Sequence, residues 1–504
     1  MHRSVLAGLS FLAVVFLCAP LAQAQDIAKL EDQVTEFTLD NGLRFIVVER
    51  HDAPVFSYFA QVKVGAVNEP MGRTGLAHMF EHMAFKGTDK LGTENWGKER
   101  RALEDVDEAY AALAAARHSG ASDEEVAAAQ AAFEASQDAA REFVVTNEFG
   151  STVEKAGGTA LNASTGYDLT TYFYQLPSNK LELWAYLESE RFQNPVMREF
   201  YTERDVVIEE RRMRTDSSPI GRLLEEFLAA AYLGHPYGRP VVGYRSDLDE
   251  FTRAEAMELY QTYYVPSNIV IGMAGDVDPE EVREYAEKYF GDWKAGPVPP
   301  RVRTIEPEQR GERRVVIRDP GQPFLLMAYH KPAGDHEDSP AYDVLTTLLA
   351  NGRSSRLHSR LVKDEKKAVA VGAITQIPGE QYPGLVLTFV VPSKGVGAGE
   401  CEAAVLEEID AIATNGVDAD ELAGVKTRMK ADFVRQARSN IGMLRGLVGE
   451  EVLWGDWRAA LAYPFEIDAV TSEDLQRIAQ ETFVESNRTV GYIITEEEGE
   501  DDAS

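Results

Sequence analysis

The stretch from Val34 to Glu49, VTEFTLDNGLRFIVVE, alternates apolar and polar residues on either side of Asn41-Gly42. Side chains on a strand point to opposite faces in turn, so this spacing predicts two strands joined as a β-hairpin with a type I′ turn. A third run, VFSYFAQVKVGA (55–66), predicts a further strand, and a helix follows from Gly75. Strands followed by a helix laid on one face predict an α+β domain, not a doubly wound sheet.

Further along, residues of about 96–145 are rich in Ala, Glu and Asp. Leu103, Val106, Tyr110 and Leu113 recur at spacings of three and four, the period of a helix. After a break at RHSGAS, Ser122 and Glu125 form a capping-box pattern that starts a second helix. The expectation is a helical hairpin inserted in the domain, its apolar stripe used for internal packing. Two β-rich runs follow, GGTALNAST and LTTYFYQLP, then helices from Lys180 to about Arg214 and a buried strand after Pro266. Ala295 to Glu312, AGPVPPRVRTIEPEQRGE, concentrates proline and charge and reads as a linker. Beyond it the order of elements partly restarts: RRVVIRDPGQPFLLMAYHKPAG predicts paired strands, PAYDVLTTLLANG a helix and GLVLTFVVP another strand. The expected organisation is a first half over 25–295, a linker over 296–312, a second half over 313–495 and an acidic tail over 496–504.

A chain of 504 residues with 44% hydrophobic content can build more than one sizeable core. Its formal charge of -32 argues against nucleic acid or an anionic membrane surface as the main partner. The first 24 residues read as a cleaved signal peptide: His2 and Arg3, an apolar run from Val5 to Leu17, and Ala22-Gln23-Ala24. The run is short for a membrane span, and no later stretch is apolar enough for one, so export to the periplasm is expected. Removing the leader takes Cys18 and leaves Cys401 as a structural residue without a disulfide partner.

The helix that starts near Gly75 carries His78-Met79-Phe80-Glu81-His82. Residues four apart lie one above the other on a helix, so His78 and His82 can point at one metal ion. Glu81, three residues from His78, projects beside them, where it can accept a proton from a water without binding the ion. Neutral imidazoles and an open position are what catalytic zinc requires. Only nine histidines occur in the chain, which makes a chance HxxEH spacing rare. A third ligand must come from elsewhere, and EFYTERDVVIEERRMR (199–214) reads as a helix offering Glu203 and Glu210 on one face. One of that pair can bind the metal while the other orients a histidine.

With these residues in place, the chain resembles the inverted-zincin peptidases, the pitrilysin, insulin-degrading enzyme and mitochondrial processing peptidase family. The resemblance is carried by HMFEH (78–82), FKGT (85–88), GGTALNASTGYDLTTYFYQLP (157–177) and ERDVVIEE (203–210), and extends from about 34 to 494. It implies two homologous halves forming a clamshell, each a β-sheet with helices on one face, and one Zn2+ per chain. It also implies His78, His82 and Glu210 as zinc ligands, Glu81 as general base and Glu203 as the acid behind a ligand. Asn162 and Ala163 then fall on an edge strand that takes up an extended peptide by β-augmentation.

In the second half the resemblance departs. Active single-chain members carry an Arg and a Tyr in a pattern like LREExGLAY. SSRLHSRLVKDEKKAVAVG (354–372) aligns with it and places Val362 and Val369 at those positions. The implied activity is that of a zinc metalloendopeptidase working with a sister subunit that supplies the Arg and Tyr. The alternatives are a homodimer or monomer using other contacts, or a catalytically silent scaffold or binding subunit.

Overall fold

The computed structural model describes residues 30–319 and 321–495. The expected signal peptide and the acidic tail lie outside these residues.

In the first half, strands β1 (Val34–Thr38), β2 (Arg44–Glu49), β3 (Val55–Val62), β4 (Thr159–Thr165), β5 (Thr170–Pro177) and β6 (Ile269–Gly275) form one sheet in the order β1-β2-β6-β3-β5-β4. β1 and β2 pair antiparallel from Val34↔Val48 to Thr38↔Arg44. Their connection is not a type I′ turn. That turn needs a positive φ at both central residues, and only Gly42 has one, at 94°. The side chain of Asn41 is otherwise engaged. Its Nδ2 donates to the carbonyls of Phe290 and Trp293, and its Oδ1 accepts from Leu43 N, which ties the turn to a helix far along the chain.

The helices that accompany this sheet include α1 (Leu76–Met83), α2 (Trp96–Ser119), α3 (Asp123–Arg141), α4 (Glu148–Lys155), α5 (Leu181–Gln193), α6 (Phe200–Arg211), α7 (Pro219–Ala231), α8 (Arg245–Glu250), α9 (Arg253–Tyr263) and α10 (Pro279–Phe290). α2 and α3 form the helical hairpin, with Ser122 and Glu125 capping each other reciprocally. Leu103, Val106, Tyr110, Leu113 and Phe133 turn inward and join the core of this half. Residues 294–310 then run without helix or strand into the second half.

There, β7 (Arg313–Asp319), β8 (Phe324–Lys331), β9 (Ala368–Ile377), β10 (Gly384–Pro392) and β11 (Arg488–Thr495) form a sheet in the order β7-β11-β8-β10-β9. Six helices belong to it: α11 (Ser339–Leu349), α12 (Ala398–Asn415), α13 (Ala419–Ala437), α14 (Asn440–Trp454), α15 (Ala459–Ala469) and α16 (Ser472–Thr482). With β1 set aside, the two sheets share one topology. β2 runs parallel to β6 as β7 does to β11, and every other neighbouring pair is antiparallel. The two halves are thus repeats of one fold.

Each sheet has two apolar faces. One face of the first, with Phe45, Val47, Phe56, Tyr58 and Ala60, packs on helices of its own half. The other face carries Ile46, Val48, Phe59, Val270 and Ala274, and it is closed by Met443, Leu444, Leu447 and Val448 of α14, a helix of the second half. The reverse holds for the second sheet. Its face of Phe324, Leu326, Ala328, Leu385 and Ile493 is closed by Leu223, Phe227, Leu228 and Ala231 of α7. The halves exchange equivalent helices.

Two glycines at equivalent strand positions make room for the exchange. A Cβ on Gly272 of β6 would lie 2.5 Å from Val448 Cγ2, and one on Gly491 of β11 would lie 2.8 Å from Phe227 Cδ2. Both are closer than real side chains approach, so only glycine lets these helices lie flat on the sheets. No helix among the described residues is long and apolar enough to cross a membrane.

Candidate metal centre

α1 begins at Gly75, whose φ of 100° and close approach to Val242 O admit no Cβ. Buried Glu69 accepts from Gly75 N at 2.7 Å and Ala77 N at 2.6 Å, holding free amide groups of the helix start. Leu76, Met79, Phe80 and Met83 face the core, so the helix turns His78, Glu81 and His82 the other way. The pattern that makes α1 amphipathic also collects its polar groups in one place.

α6 brings Glu210 against both histidines. Its Oε1 lies 3.6 Å from His78 Nε2 and its Oε2 lies 3.5 Å from His82 Nε2. One ligand atom from each residue can be chosen so that all lie within 4.8 Å of one another. Tetrahedral ligands about 2 Å from a zinc ion sit roughly 3.3 Å apart, so two imidazoles and a carboxylate at these separations fit such an ion. The donor set suits zinc and supplies three of the four ligands of a tetrahedral ion.

The surroundings set the charge of each group. Burial, then the neighbouring His82, lowers His78 to about 4, so its imidazole is neutral at neutral pH and able to act as a ligand. For His82 burial also lowers the pKa, but hydrogen bonds to Glu203 and Glu210 outweigh it and raise the group to about 9. Without a cation the carboxylates hold a proton on His82, and a bound metal would take that proton's place. Glu203 Oε1 lies 3.0 Å from His82 Nδ1, and Lys86 Nζ lies 2.6 Å from Glu203 Oε2. Burial works to raise Glu203, yet its hydrogen bonds to His82 and Lys86 hold it below the usual carboxylate range. Arg214 Nη1 reaches Glu210 Oε1 at 2.6 Å, and the hydrogen bond to His82 leads the causes that lower Glu210.

Glu81 stands beside this cluster. Burial raises its pKa, and a 2.6 Å hydrogen bond from Thr165 Oγ1 opposes the rise. Thr165 ends β4, the outermost strand of its sheet, which carries Asn162 and Ala163 opposite Phe173 and Tyr172. The amide of Ala163 is taken by Asn162 Oδ1 at 2.9 Å. Lys86, Thr165, Arg214 and Glu69 were not singled out from the sequence. Lys86, Thr165 and Arg214 do lie inside quoted stretches, FKGT, GGTALNAST and EFYTERDVVIEERRMR.

The second half builds a counterpart without histidine. On α11 the carboxylate of Asp343 accepts from Thr375 Oγ1 of β9, as Glu81 accepts from Thr165 of β4. Around Asp343 opens a cavity of about 1450 Å³, lined also by Lys331, Glu380 and Glu450, and no metal-site residue faces it. Val369 of β9 is 57% exposed, and Val362 is half-buried against the second core. Lys366, at the glycine position of the LREExGLAY pattern, has a φ of 57°.

The family described as "Insulinase (Peptidase family M16)" matches residues 45–104 and 141–245, and the "Peptidase M16 inactive domain" matches 250–429, together more than half of the chain. The chain belongs to the M16 metallopeptidase family. "Zinc protease PqqE" of Helicobacter pylori is 29% identical over 98% of this chain and 99% of its own. An uncharacterised zinc protease of Mycobacterium leprae is 25% identical over 89% of each. Among solved structures, a protease from Helicobacter pylori superposes with a TM-score of 0.77 at 26% identity, covering 92% of this chain and 99% of that one. The periplasmic protease PqqL of Escherichia coli shares the fold alone, with a TM-score of 0.68 at 19% identity, over 92% of this chain and 48% of PqqL.

Proposed function

We propose that this chain is an exported zinc metalloendopeptidase that cuts extended peptides, with His78, His82 and Glu210 holding one zinc ion and Glu81 acting as general base. The observation that carries the reading is the convergence of three ligand atoms on one point, with the carboxylate of Glu81 alongside. A bound zinc ion supplies Lewis acidity for water activation and carbonyl polarisation. The chain's residues do the rest. Glu81, held by Thr165, takes a proton from the attacking water and delivers it to the departing amine nitrogen. Glu203 accepts the Nδ1 proton of His82, which would leave Nε2 free to hold the ion.

Peptide enters along β4. Its outer edge is free for main-chain pairing, and a substrate carbonyl would replace Asn162 Oδ1 as the acceptor for Ala163 N. Because Val362 and Val369 have no hydrogen-bond donor, the second grip on the substrate comes from a sister subunit of the same family, the two chains working as a heterodimer. Periplasmic residence is supported by the leader pattern of the first 24 residues.

The test is zinc content and cleavage of unfolded peptides by the wild type and Glu81→Gln, each alone and with a co-expressed sister chain. Zinc in both, with cleavage only by the wild type, supports the reading. A zinc-free wild type refutes it, and full cleavage by the chain alone removes the sister subunit.

A further inference from the structure

The helical hairpin α2–α3 plays no part in the chemistry above, and residues 105–140 fall in the gap of the matched family. Its contacts run to the elements that carry the metal site. Tyr110 OH accepts from Arg204 Nη1 of α6 at 2.9 Å, and the Arg204 guanidinium lies 5.3 Å from the ring of Tyr110 and 5.2 Å from that of Tyr201. Tyr201 itself packs 4.3 Å from Tyr110 and 5.1 Å from Phe133, centroid to centroid. Tyr201 and Arg204 flank Glu203 in the sequence, so the hairpin grips α6 at the turn that presents this carboxylate to His82.

The roots of the hairpin hold the other side. Glu99 of α2 forms a fully buried ion pair with Arg198, and Arg198 also donates to the carbonyls of Lys86, Thr88 and Leu91. The loop after α1 is wrapped around one guanidinium. A Cβ on Gly87 or Gly92 would lie 2.9 or 2.7 Å from Arg198 Nη1. That wrapping fixes the backbone of Lys86, whose Nζ reaches Glu203 at 2.6 Å and Glu199 at 3.5 Å. Glu199 in turn lies 3.8 Å from Arg141 Nε at the end of α3.

We propose that the hairpin is a brace for the metal centre. Lys86 and Tyr110 are positioning residues that fix Glu203, and through it the ring of His82, from two sides. Lys86 restrains the carboxylate by its charge, and Tyr110 restrains the helix that bears it. Without them Glu203 can swing, and His82 no longer presents Nε2 in one orientation. Partners behind a ligand are worth about 10- to 100-fold in metal affinity. The brace rests on the zinc reading given above.

Its test is zinc affinity by chelator competition in Lys86→Met, Lys86→Arg, Tyr110→Leu and the wild type, with thermal midpoints measured for each protein with and without zinc. Lys86→Met is expected to bind zinc about tenfold more weakly, to keep its zinc-free midpoint and to gain less from added zinc. Lys86→Arg restores most of the affinity, and Tyr110→Leu weakens it about three- to tenfold. With cleavage as a further readout, kcat per added zinc falls while KM for peptide stays. Wild-type affinity in both Lys86→Met and Tyr110→Leu, or equal losses of midpoint with and without zinc, overturns the brace alone. A wild type that takes up no zinc overturns the functional reading instead.

Discussion

Thr165 and Glu81 are joined by a 2.6 Å hydrogen bond that links the edge strand β4 to helix α1, which carries His78 and His82. The same contact recurs between Thr375 and Asp343 in the second half, on the equivalent strand and helix. One hydroxyl therefore ties the edge strand to the Glu81 carboxylate, and the second half repeats the tie on a helix without histidines. Glu81→Gln should lower kcat by about 10²- to 10⁴-fold at unchanged zinc content. Thr165→Val should lower it less, because the carboxylate remains but is free to turn. Steady-state kinetics with metal analysis checks both, and a fully active Glu81→Gln would remove the base.

Glu210 touches both histidines, and no other carboxylate among the described residues does. Glu210→Gln should lose zinc at least 100-fold more readily than the wild type, whereas Glu203→Gln should lose it about 10- to 100-fold more readily. Chelation of the wild type should abolish cleavage and stoichiometric zinc should restore it. Retention of zinc by Glu210→Gln would reassign the third ligand.

Behind α1, Arg191 and Glu188 form a fully buried ion pair. Tyr58 and Tyr174 donate to the same carboxylate, and Arg191 lies over the rings of Phe85, Phe149 and Tyr172. Arg191→Met leaves Glu188 buried without its cation and should cost about 3–5 kcal/mol. Arg191→Met with Glu188→Gln should recover part of that loss. Urea unfolding of the three proteins measures it.

Two carboxylates in the second-half cavity give a pH dependence. Burial, then Glu450 and Asp168, raises Glu380 to about 7, while burial, Glu466 and Asp456 raise Glu450 to about 7. Neither side chain has an ion-pair partner among the described residues. An acid whose folded pKa exceeds its ordinary 4.5 binds its proton more tightly when folded. The stability it supports is complete below about pH 4.5 and is lost as pH rises through about 7. Glu380→Gln with Glu450→Gln should therefore gain on the order of 1–2 kcal/mol over the wild type at pH 8 and little at pH 5. Urea titrations at the two pH values decide, and an equal shift at both would contradict the linkage.

Gly272 and Gly491 carry the exchanged helices. Gly272→Val should cost about 1–3 kcal/mol by pushing α14 off the sheet, and Val448→Ala in the same chain should return part of it. Thermal unfolding of the single and double variants reads the coupling.

The sequence made some of this legible and hid the rest for physical reasons. Helical periodicity is local, so HMFEH alone puts His78 and His82 on one face, and the spacing within ERDVVIEE puts Glu203 and Glu210 on another. Thr165 and Lys86 were hidden because a hydroxyl or an ammonium acquires its partner only when distant elements meet. The turn at Asn41 departs from type I′ because its side chain answers to α10, some 250 residues away, and not to the hairpin. The helix exchange left only a faint trace. α7 and α14 are as apolar as any core helix, and the one signal was a glycine in the middle of IVIGMAG and of RTVGYIIT.

That exchange determines what counts as a folding unit. Either half expressed by itself would present a bare apolar sheet face to water and leave one of its own helices with nothing to cover. A single cut between 294 and 310 severs a tether but exposes none of the surface shared between the sheets and α7 or α14. The nicked chain should therefore stay together, while a truncated one should not survive.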